Sequence, residues 1–435
     1  MGDPYLADGV DFGDALLAVG KGVVAFAVLL VAVILMIWFE RKVVGRLQNR
    51  IGPNVAGPFG ILQTLADGIK LILKEGIIPE RSDSFVFKLA PYLSLVPAFL
   101  TFIVVPIGGD FSDGGNGMVT IAGRQTTLQV ADVPMGILFF LAMSSIGVYG
   151  VMLAGWSSGS KYPLLGSVRA SAQAISYEAA LGLSLASVLL VTGSLSTHEI
   201  VRVQAGEGFG GVVPNWNVIV TAVVPFVIFL IAGTAELNRP PFDLVEAEQE
   251  LVGGFHTEYS AARFAMFYVA EFMNTVTMSA IIVTLFFGGP AGPALGILPG
   301  WLWGFVWFFL KLLVFLFIFV WIRATLPRLR YDQLMNLGWK VLIPLALAWL
   351  LLLGGIRMAQ DGGLGLTDSY VGDTAVVLLV AIVLGGLGSA LLGGAMRTSR
   401  NERLAEQGLV EVPYENRAGG AAAGHGSHGH HGEAH

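Results

Sequence analysis

Long, uninterrupted apolar runs dominate the pattern of hydrophobic and polar positions along this chain. A helix that crosses a bilayer needs about 20 apolar residues, and nine runs approach or reach that length. They lie near residues 20–39, 87–109, 134–155, 174–192, 216–235, 264–287, 302–322, 339–358 and 374–396. The last run is rich in Gly and weakly bounded. The pattern predicts an all-α, polytopic membrane protein with about nine transmembrane helices.

A shorter segment, residues 60–74, has the periodicity of an amphipathic helix. Apolar side chains recur there at spacings of three and four, at Ile61, Leu62, Leu65, Ile69, Ile72 and Leu73. Polar side chains occupy the other face, at Gln63, Asp67, Lys70 and Lys74. Two interpretations are open: a helix that lies in the membrane interface, or a helix whose polar face covers a site.

The composition supports the membrane assignment. Only 13% of the 435 residues are charged, whereas soluble domains carry about 25%, so the chain has too little polar surface to face water throughout. We expect residues 1–396 to form one helical membrane domain. Residues 397–435 are expected to form a cytoplasmic tail, disordered from residue 418 because Gly, Ala and His there cannot build a core.

Metal and cluster binding is not expected in this chain. It has no Cys, and Cys thiolates are the usual ligands of iron–sulfur clusters and of structural zinc. Five His fall within residues 425–435 and could bind a metal weakly, but a solvated tail is the simpler interpretation. Neither a dinucleotide-binding G-x-G-x-x-G unit nor a Walker A loop occurs, and nothing indicates a nucleic-acid partner.

The distribution of Lys and Arg predicts how the chain is oriented, because these residues concentrate in cytoplasmic loops. With the N-terminus outside the cell, 20 of the 25 Lys and Arg residues face the cytoplasm and 4 face outward, while Lys311 lies inside a span. Nine spans then place the C-terminus inside. The first run is expected to remain as a span, since the acidic flank before it does not resemble a cleavable signal.

Three ionisable residues fall in or at the edge of the spans: Glu178, Glu271 and Lys311. Ionisable groups inside a membrane are costly and usually mark a functional site. Each could instead belong to a structural ion pair. Their number favours a charged or hydrated path through the helices.

An acidic segment follows the fifth span. Its carboxylates are Glu236, Asp243, Glu246, Glu248 and Glu250, with Arg239 as the accompanying cation. Carboxylates this close raise one another's pKa values, and such a cluster can hold and pass protons. The alternative is a solvated acidic loop.

A basic segment follows the first span, where Arg41, Lys42, Arg46 and Arg50 recur at helical spacing. One interpretation is an anchor at the cytoplasmic interface. The other is a basic opening that contacts a partner or the head group of a ligand.

Four blocks of this sequence together resemble a known family. They are ERKVVGRLQNRIGPNVAGPFGILQTLADGIKLILKE (40–75), GWSSGSKYPLLGSVRASAQAISYE (155–178), AELNRPPFDLVEAEQELVGGFHTEYS (235–260) and WIRATLPRLRYDQLMNLGWK (321–340). Their order and spacing resemble the H subunit of bacterial NADH:quinone oxidoreductase, respiratory complex I, over roughly residues 15–360. Members of that family usually end after eight spans, so the ninth run and the His-rich tail depart from the pattern.

The resemblance implies a bacterial cell-membrane subunit that is not catalytic alone and that forms part of a quinone tunnel. Its partners would be other complex I subunits, carrying FMN and the iron–sulfur clusters, together with membrane lipid and quinone as substrate. The implied tunnel residues are Glu40, Arg41, Arg50 and Asp67. The implied proton path comprises Glu178, Glu236, Asp243, Glu246, Glu248 and Glu271, with Lys311 at a further family position.

Three other functions stay open on the sequence alone. The membrane subunit of an energy-converting hydrogenase shares parts of these blocks, although the full block 40–75 argues against it. A secondary transporter would often show paired broken helices in two halves, which the sequence does not suggest. A passive membrane anchor would leave Glu178, Glu271 and Lys311 without a role.

Overall fold

A computed structural model describes residues 11–111, 115–121, 123–206, 215–244, 251–293, 299–361 and 372 of the chain. The described residues lie within one compact unit, Met1–Thr374. The twelve α-helices of this part are α1 (Phe12–Leu47), α2 (Leu62–Leu73), α3 (Ser84–Phe102), α4 (Gly136–Ser157), α5 (Lys161–Thr192), α6 (Thr197–Gln204), α7 (Asn217–Val220), α8 (Val224–Glu236), α9 (Ala261–Phe286), α10 (Gly300–Thr325), α11 (Tyr331–Leu337) and α12 (Ile343–Asp361).

Seven of the helical segments described are long and apolar enough to cross a membrane: α1, α3, α4, α5, α9, α10 and the segment Tyr331–Gln360 that joins α11 to α12 through a π-helical turn. Helix α8 is shorter and equally apolar. These elements correspond to the first eight predicted spans, and the all-α membrane fold is confirmed. The predicted ninth span and the tail lie outside the described residues.

Helix α9 occupies the centre of the bundle and packs against α1, α3 and α10. Its second half is buried without interruption from Thr275 to Phe286. Three of the four hydroxyl groups on this stretch donate to the helix's own carbonyls: Thr275 to Glu271, Ser279 to Thr275 and Thr284 to Ala280. A buried hydroxyl without a partner is unfavourable in an apolar environment, so these bonds allow polar residues at the core of the bundle.

The fifth predicted span, 216–235, is a broken helix rather than a continuous one. Helix α7 ends at Val220, and Ala222 and Val223 have positive φ angles of 60° and 66° before α8 begins. Trp349 donates its indole N–H to the Thr221 carbonyl, and the side chain of Asn217 donates to the Leu285 carbonyl. Irregular backbone is tolerated at membrane depth when protein groups satisfy it.

The loop between α3 and α4 contains a small antiparallel hairpin, β1 (Met118–Ile121) and β2 (Arg124–Thr127). Arg124 binds Asp11, at 2.8 Å, and Asp14 near the start of α1. These ion pairs hold the hairpin against the first helix.

Candidate functional site

An ionic network joins four separate parts of the chain. The Arg239 guanidinium donates to both carboxylate oxygens of Glu40, at 3.0 and 3.2 Å, and its Nε lies 2.7 Å from a carboxylate oxygen of Glu271. Arg323, from the end of α10, also binds Glu40. Glu40 comes from α1 and Glu271 from α9, so Arg239 links carboxylates from two spans.

The centre of the network, Arg239 and Glu40, is shielded from solvent, whereas Glu271 and Arg323 are partly exposed. The Arg239 side chain is 8% exposed and that of Glu40 is 11% exposed, and the guanidinium lies 4.3 Å from the centre of the Phe272 ring. Buried charges persist only when they are paired and hydrogen-bonded. Arginine suits this position because its planar fork can serve two carboxylates at once.

The loop that carries Arg239 is fixed by Gln173 of α5. The Gln173 amide nitrogen lies 2.7 Å from the Ala235 carbonyl oxygen, 2.9 Å from that of Phe242 and 3.2 Å from the Asn238 side-chain oxygen. A second ion pair, between Arg328 and Asp243 at 3.1 Å, ties the end of this loop to the segment after α10. The loop is therefore attached to α5 on one side and to the chain beyond α10 on the other.

A second pair of carboxylates lies on neighbouring helices. Ser144 and Ser145, successive residues of α4, donate to Glu236 at the end of α8 and to Glu178 in α5. The other oxygen of Glu236, Oε2, is buried and has no hydrogen-bond partner in the described part of the chain. Two successive serines thus each bind one of the two carboxylates, and Glu236 keeps unused accepting capacity.

A cavity of about 110 Å³ lies between the network and the second carboxylate pair. Its polar lining includes Glu236, Asn238, His256, Glu271 and Asn274. A cavity of this size and polarity can hold several water molecules, since each needs about 10–15 Å³ of such volume and two to four polar partners. The arrangement can therefore support a hydrogen-bonded chain from Glu271 to Glu236.

His256 is a titratable residue that lines this cavity and is uncharged. Burial lowers its pKa to about 4, although Asp243 opposes the shift. The imidazole is therefore uncharged near neutral pH and can accept a hydrogen bond as well as donate one.

The amphipathic helix is confirmed as α2, and it meets α1 at an ion pair. Arg41 donates to Asp67 at 2.6 Å, and Gln63 donates to the other carboxylate oxygen at 3.0 Å. Partial burial acts to raise the pKa of Asp67, but the bonds from Arg41 and Gln63 outweigh it and hold the pKa below its usual value. Leu65 and Ile69 on the apolar face are about half exposed. Helix α2 thus presents an apolar surface beside a fixed charge pair.

Arg50 and Lys311, two residues predicted to be functional, do not line the cavity. Arg50 is exposed and donates to the side chain of Gln48 at 2.8 Å. Lys311 donates to the carbonyls of Phe287, Gly289 and Ala291, at 2.8–2.9 Å. Those three carbonyls match the three N–H groups of the ammonium.

Several side chains of the candidate site were not identified from the sequence. The cations Arg323 and Arg328 lie inside the block 321–340, but no periodicity relates them to Glu40 or Asp243. Ser144, Ser145 and Gln173 carry no motif. Glu246, Glu248 and Glu250 lie outside the described residues, so their roles stay predictions. Within the ranges that the structure covers, no group of three or more His, Asp or Glu is arranged to hold a metal ion.

The sequence was compared with those of known proteins, and it matches one family over most of its length. A family model described as NADH dehydrogenase matches residues 21–354. A protein of Frankia alni, named as the H subunit of NADH-quinone oxidoreductase, is 50% identical over 399 residues, covering 90% of this chain and 83% of the relative. A protein of the same name from Frankia casuarinae is 49% identical with the same coverage.

Proposed function

We propose a function on the premise that this chain belongs to the family of NADH-quinone oxidoreductase H subunits, as its sequence matches show. The chain forms part of a quinone tunnel and of an acidic path that couples quinone reduction to proton translocation. The carrying observation is the cavity lined by Glu236 and Glu271 beside the Glu40–Arg239–Glu271 network. The oxidoreductase is an enzyme complex, and this subunit is not catalytic by itself.

The quinone chemistry explains why a charged network would respond. A quinone that gains two electrons takes up two protons to become a quinol, and before protonation it carries negative charge. In a site of low dielectric that charge acts strongly on carboxylates several Å away. Glu40 and Glu271 share one cation, Arg239, so a new negative charge nearby changes the balance between them.

The path then leads from the network to α5. A proton shift at Glu271 would pass across the cavity to Glu236, bound by Ser144, and on to Glu178, bound by the next residue, Ser145. Interacting carboxylates titrate as a unit, so a change at one end alters the proton occupancy at the other. Asp243 and His256 lie beside this route, and Glu246 and Glu248 are proposed to extend it.

The partners follow from the same proposal. Electrons would come from FMN and iron–sulfur clusters on other subunits, since this chain has no Cys to ligate a cluster. Quinone is the substrate, and the neighbours would be hydrophilic quinone-module subunits, small membrane subunits and lipid. We also propose that residues 1–396 form the membrane domain and that residues 397–435 form a cytoplasmic tail.

The pair Arg41–Asp67 is proposed to shape the entrance of the tunnel. We expect Arg41→Ala to lower quinone reduction by the assembled complex by about tenfold, because Arg41 positions α2 through its bond to Asp67 and such bonds to charged groups contribute about 1.5–3 kcal/mol. Electron transfer from NADH to a hydrophilic artificial acceptor should persist, because it does not need the tunnel. Both rates are measured on purified complex.

Arg46→Ala is the matched control, since Arg46 is exposed and belongs to the same basic segment. It should leave both rates near the unmodified values. An equal fall of both activities in Arg41→Ala, in complex assembled normally, would make Arg41 a structural residue and not part of an entrance.

The charge distribution also leads to a proposed orientation, with the N-terminus outside and the C-terminus in the cytoplasm. Single cysteines can report it, because the chain has none of its own. A cysteine at residue 8 should react with a membrane-impermeant maleimide in intact cells, and one at residue 427 only after permeabilisation. Labelling of both positions from the same side would remove the ninth span.

A further inference from the structure

A second cavity lies far from the acidic path, between α1 and the hairpin. Its volume is about 340 Å³, within the range of ligand pockets. The apolar lining includes Leu17, Val24, Phe102, Ile121 and Leu128. Lys21 and Gln129 also contribute to it. We propose that this cavity holds one acyl chain of an anionic phospholipid, whose phosphate lies against Lys21.

The walls of the pocket are fastened to each other. Arg124 of the hairpin binds Asp11 and Asp14 at the start of α1. Farther along, the Lys21 ammonium donates to the Thr126 hydroxyl at 2.9 Å. The space between α1 and the hairpin is therefore a built feature with polar attachments at one end and apolar walls beyond them.

The depth of Lys21 fits the position of a lipid head group. Helix α1 has 36 residues and is about 54 Å long at 1.5 Å per residue, well beyond the roughly 30 Å of a hydrocarbon core. Its uninterrupted apolar run, 22–39, begins directly after Lys21. Lys21 thus lies where hydrocarbon ends, and Val24 and Ala25 carry the pocket from there into the acyl region.

Gln129 is buried in the wall of the pocket. Its side chain is 3% exposed, and neither its amide oxygen nor its amide nitrogen has a hydrogen-bond partner among the residues described. A buried amide in that condition is unusual. Both amide atoms lie behind the apolar surface of the pocket, so recognition of a head group falls to Lys21, whose positive charge favours an anionic one.

The site is distinct from the quinone entrance. Lys21 and Arg41 are 20 positions apart on the same helix, or about 30 Å, so the two lie near opposite faces of the bilayer. A neutral quinone head group would gain little from a cation at the pocket mouth. Charge complementarity therefore favours the anionic phospholipid as occupant.

Gly20 provides the test, because it lines the cavity and an added Cβ there meets nothing within 4 Å. Gly20→Phe should fill the pocket without disturbing the helix. Gly22→Phe is the matched control: Gly22 is equally open and does not line the cavity. The whole complex is purified in mild detergent, and bound phospholipids are extracted and counted by mass spectrometry.

We expect Gly20→Phe to lose one tightly bound anionic phospholipid per complex, while Gly22→Phe keeps it. Lys21→Gln should weaken retention of anionic lipid about fivefold, because one Lys at the surface contributes about 1 kcal/mol to that attraction. In the unmodified complex, a phosphatidylglycerol with a photoreactive acyl chain should cross-link to Val24 or Leu128. Equal lipid counts in both Gly variants would overturn the proposal. So would cross-links elsewhere only, or displacement of the probe by quinone alone.

Discussion

Replacing Arg239 by Met is expected to cause a large loss of stability. The variant removes the ion pairs of Arg239 with Glu40 and Glu271, while Arg323 still binds Glu40. Removing one partner of a buried ion pair costs about 3–5 kcal/mol, because the remaining charge has lost its compensation. Methionine keeps much of the aliphatic volume, so the loss reflects charge and hydrogen bonding more than a cavity.

The measurement is the amount of assembled complex on a native gel, together with the temperature at which purified complex loses this subunit. Arg239→Lys should have a stability between those of Arg239→Met and the unmodified complex. An ammonium keeps the charge but cannot bind two carboxylates as the planar guanidinium does. Arg330→Met is the control, because the Arg330 side chain is 82% exposed and 3.9 Å from Asp332. If Arg239→Met and Arg330→Met gave the same amount of assembled complex and the same dissociation temperature, the network would not contribute to stability.

The transmembrane helices could be predicted because the requirement behind them is local. A segment surrounded by lipid must be apolar for about 20 residues and must satisfy its own backbone. The ends are less predictable: α1 reaches from Phe12 to Leu47, beyond the predicted 20–39. Hydrocarbon limits only the apolar part, and Arg41, Lys42 and Arg46 are compatible with further helix.

The break between α7 and α8 could not be predicted, because its partners are distant in sequence. Asn217 is bound to the Leu285 carbonyl and Thr221 to Trp349. The ionic network is hidden for the same reason, since Glu40 and Arg239 are separated by 199 positions. Hydrophobic periodicity describes neighbours within a few turns and carries no information on such pairs.

The candidate residues themselves could be predicted from two arguments. The first is the energetic cost of placing an ionisable group inside a membrane, which singled out Glu178, Glu271 and Lys311. The second is the family resemblance of the four sequence blocks, which added Glu40 and Asp67. Neither argument anticipated that Lys311 would be held by three backbone carbonyls. That arrangement depends on the turn after α9, which no side-chain pattern specifies.

Glu236→Gln is expected to have the largest functional effect among residues that do not hold the fold together. Glutamine has the same shape and can still accept the hydrogen bond from Ser144, but it cannot release a proton. Positioned proton-transfer groups contribute about 10²–10⁴-fold to rate. We expect proton translocation, and quinone reduction coupled to it, to fall by about 10²-fold with normal assembly.

Glu199→Gln is the matched control. It makes the same chemical change in α6, where Glu199 pairs with Arg202 one turn away at 2.7 Å. Partly exposed pairs of this kind contribute little to stability, and Glu199 does not line the cavity between Glu236 and Glu271. Its activity should match that of the unmodified complex.

The most direct test of the coupling path is the simultaneous rate of quinone reduction and proton translocation by Glu236→Gln complex in sealed vesicles. The proposed path predicts that quinone reduction and proton translocation fall together, while NADH oxidation with a hydrophilic acceptor continues. Full quinone reduction with an unchanged number of protons moved per quinone would contradict it, and would return Glu236 to the role of a buried structural carboxylate.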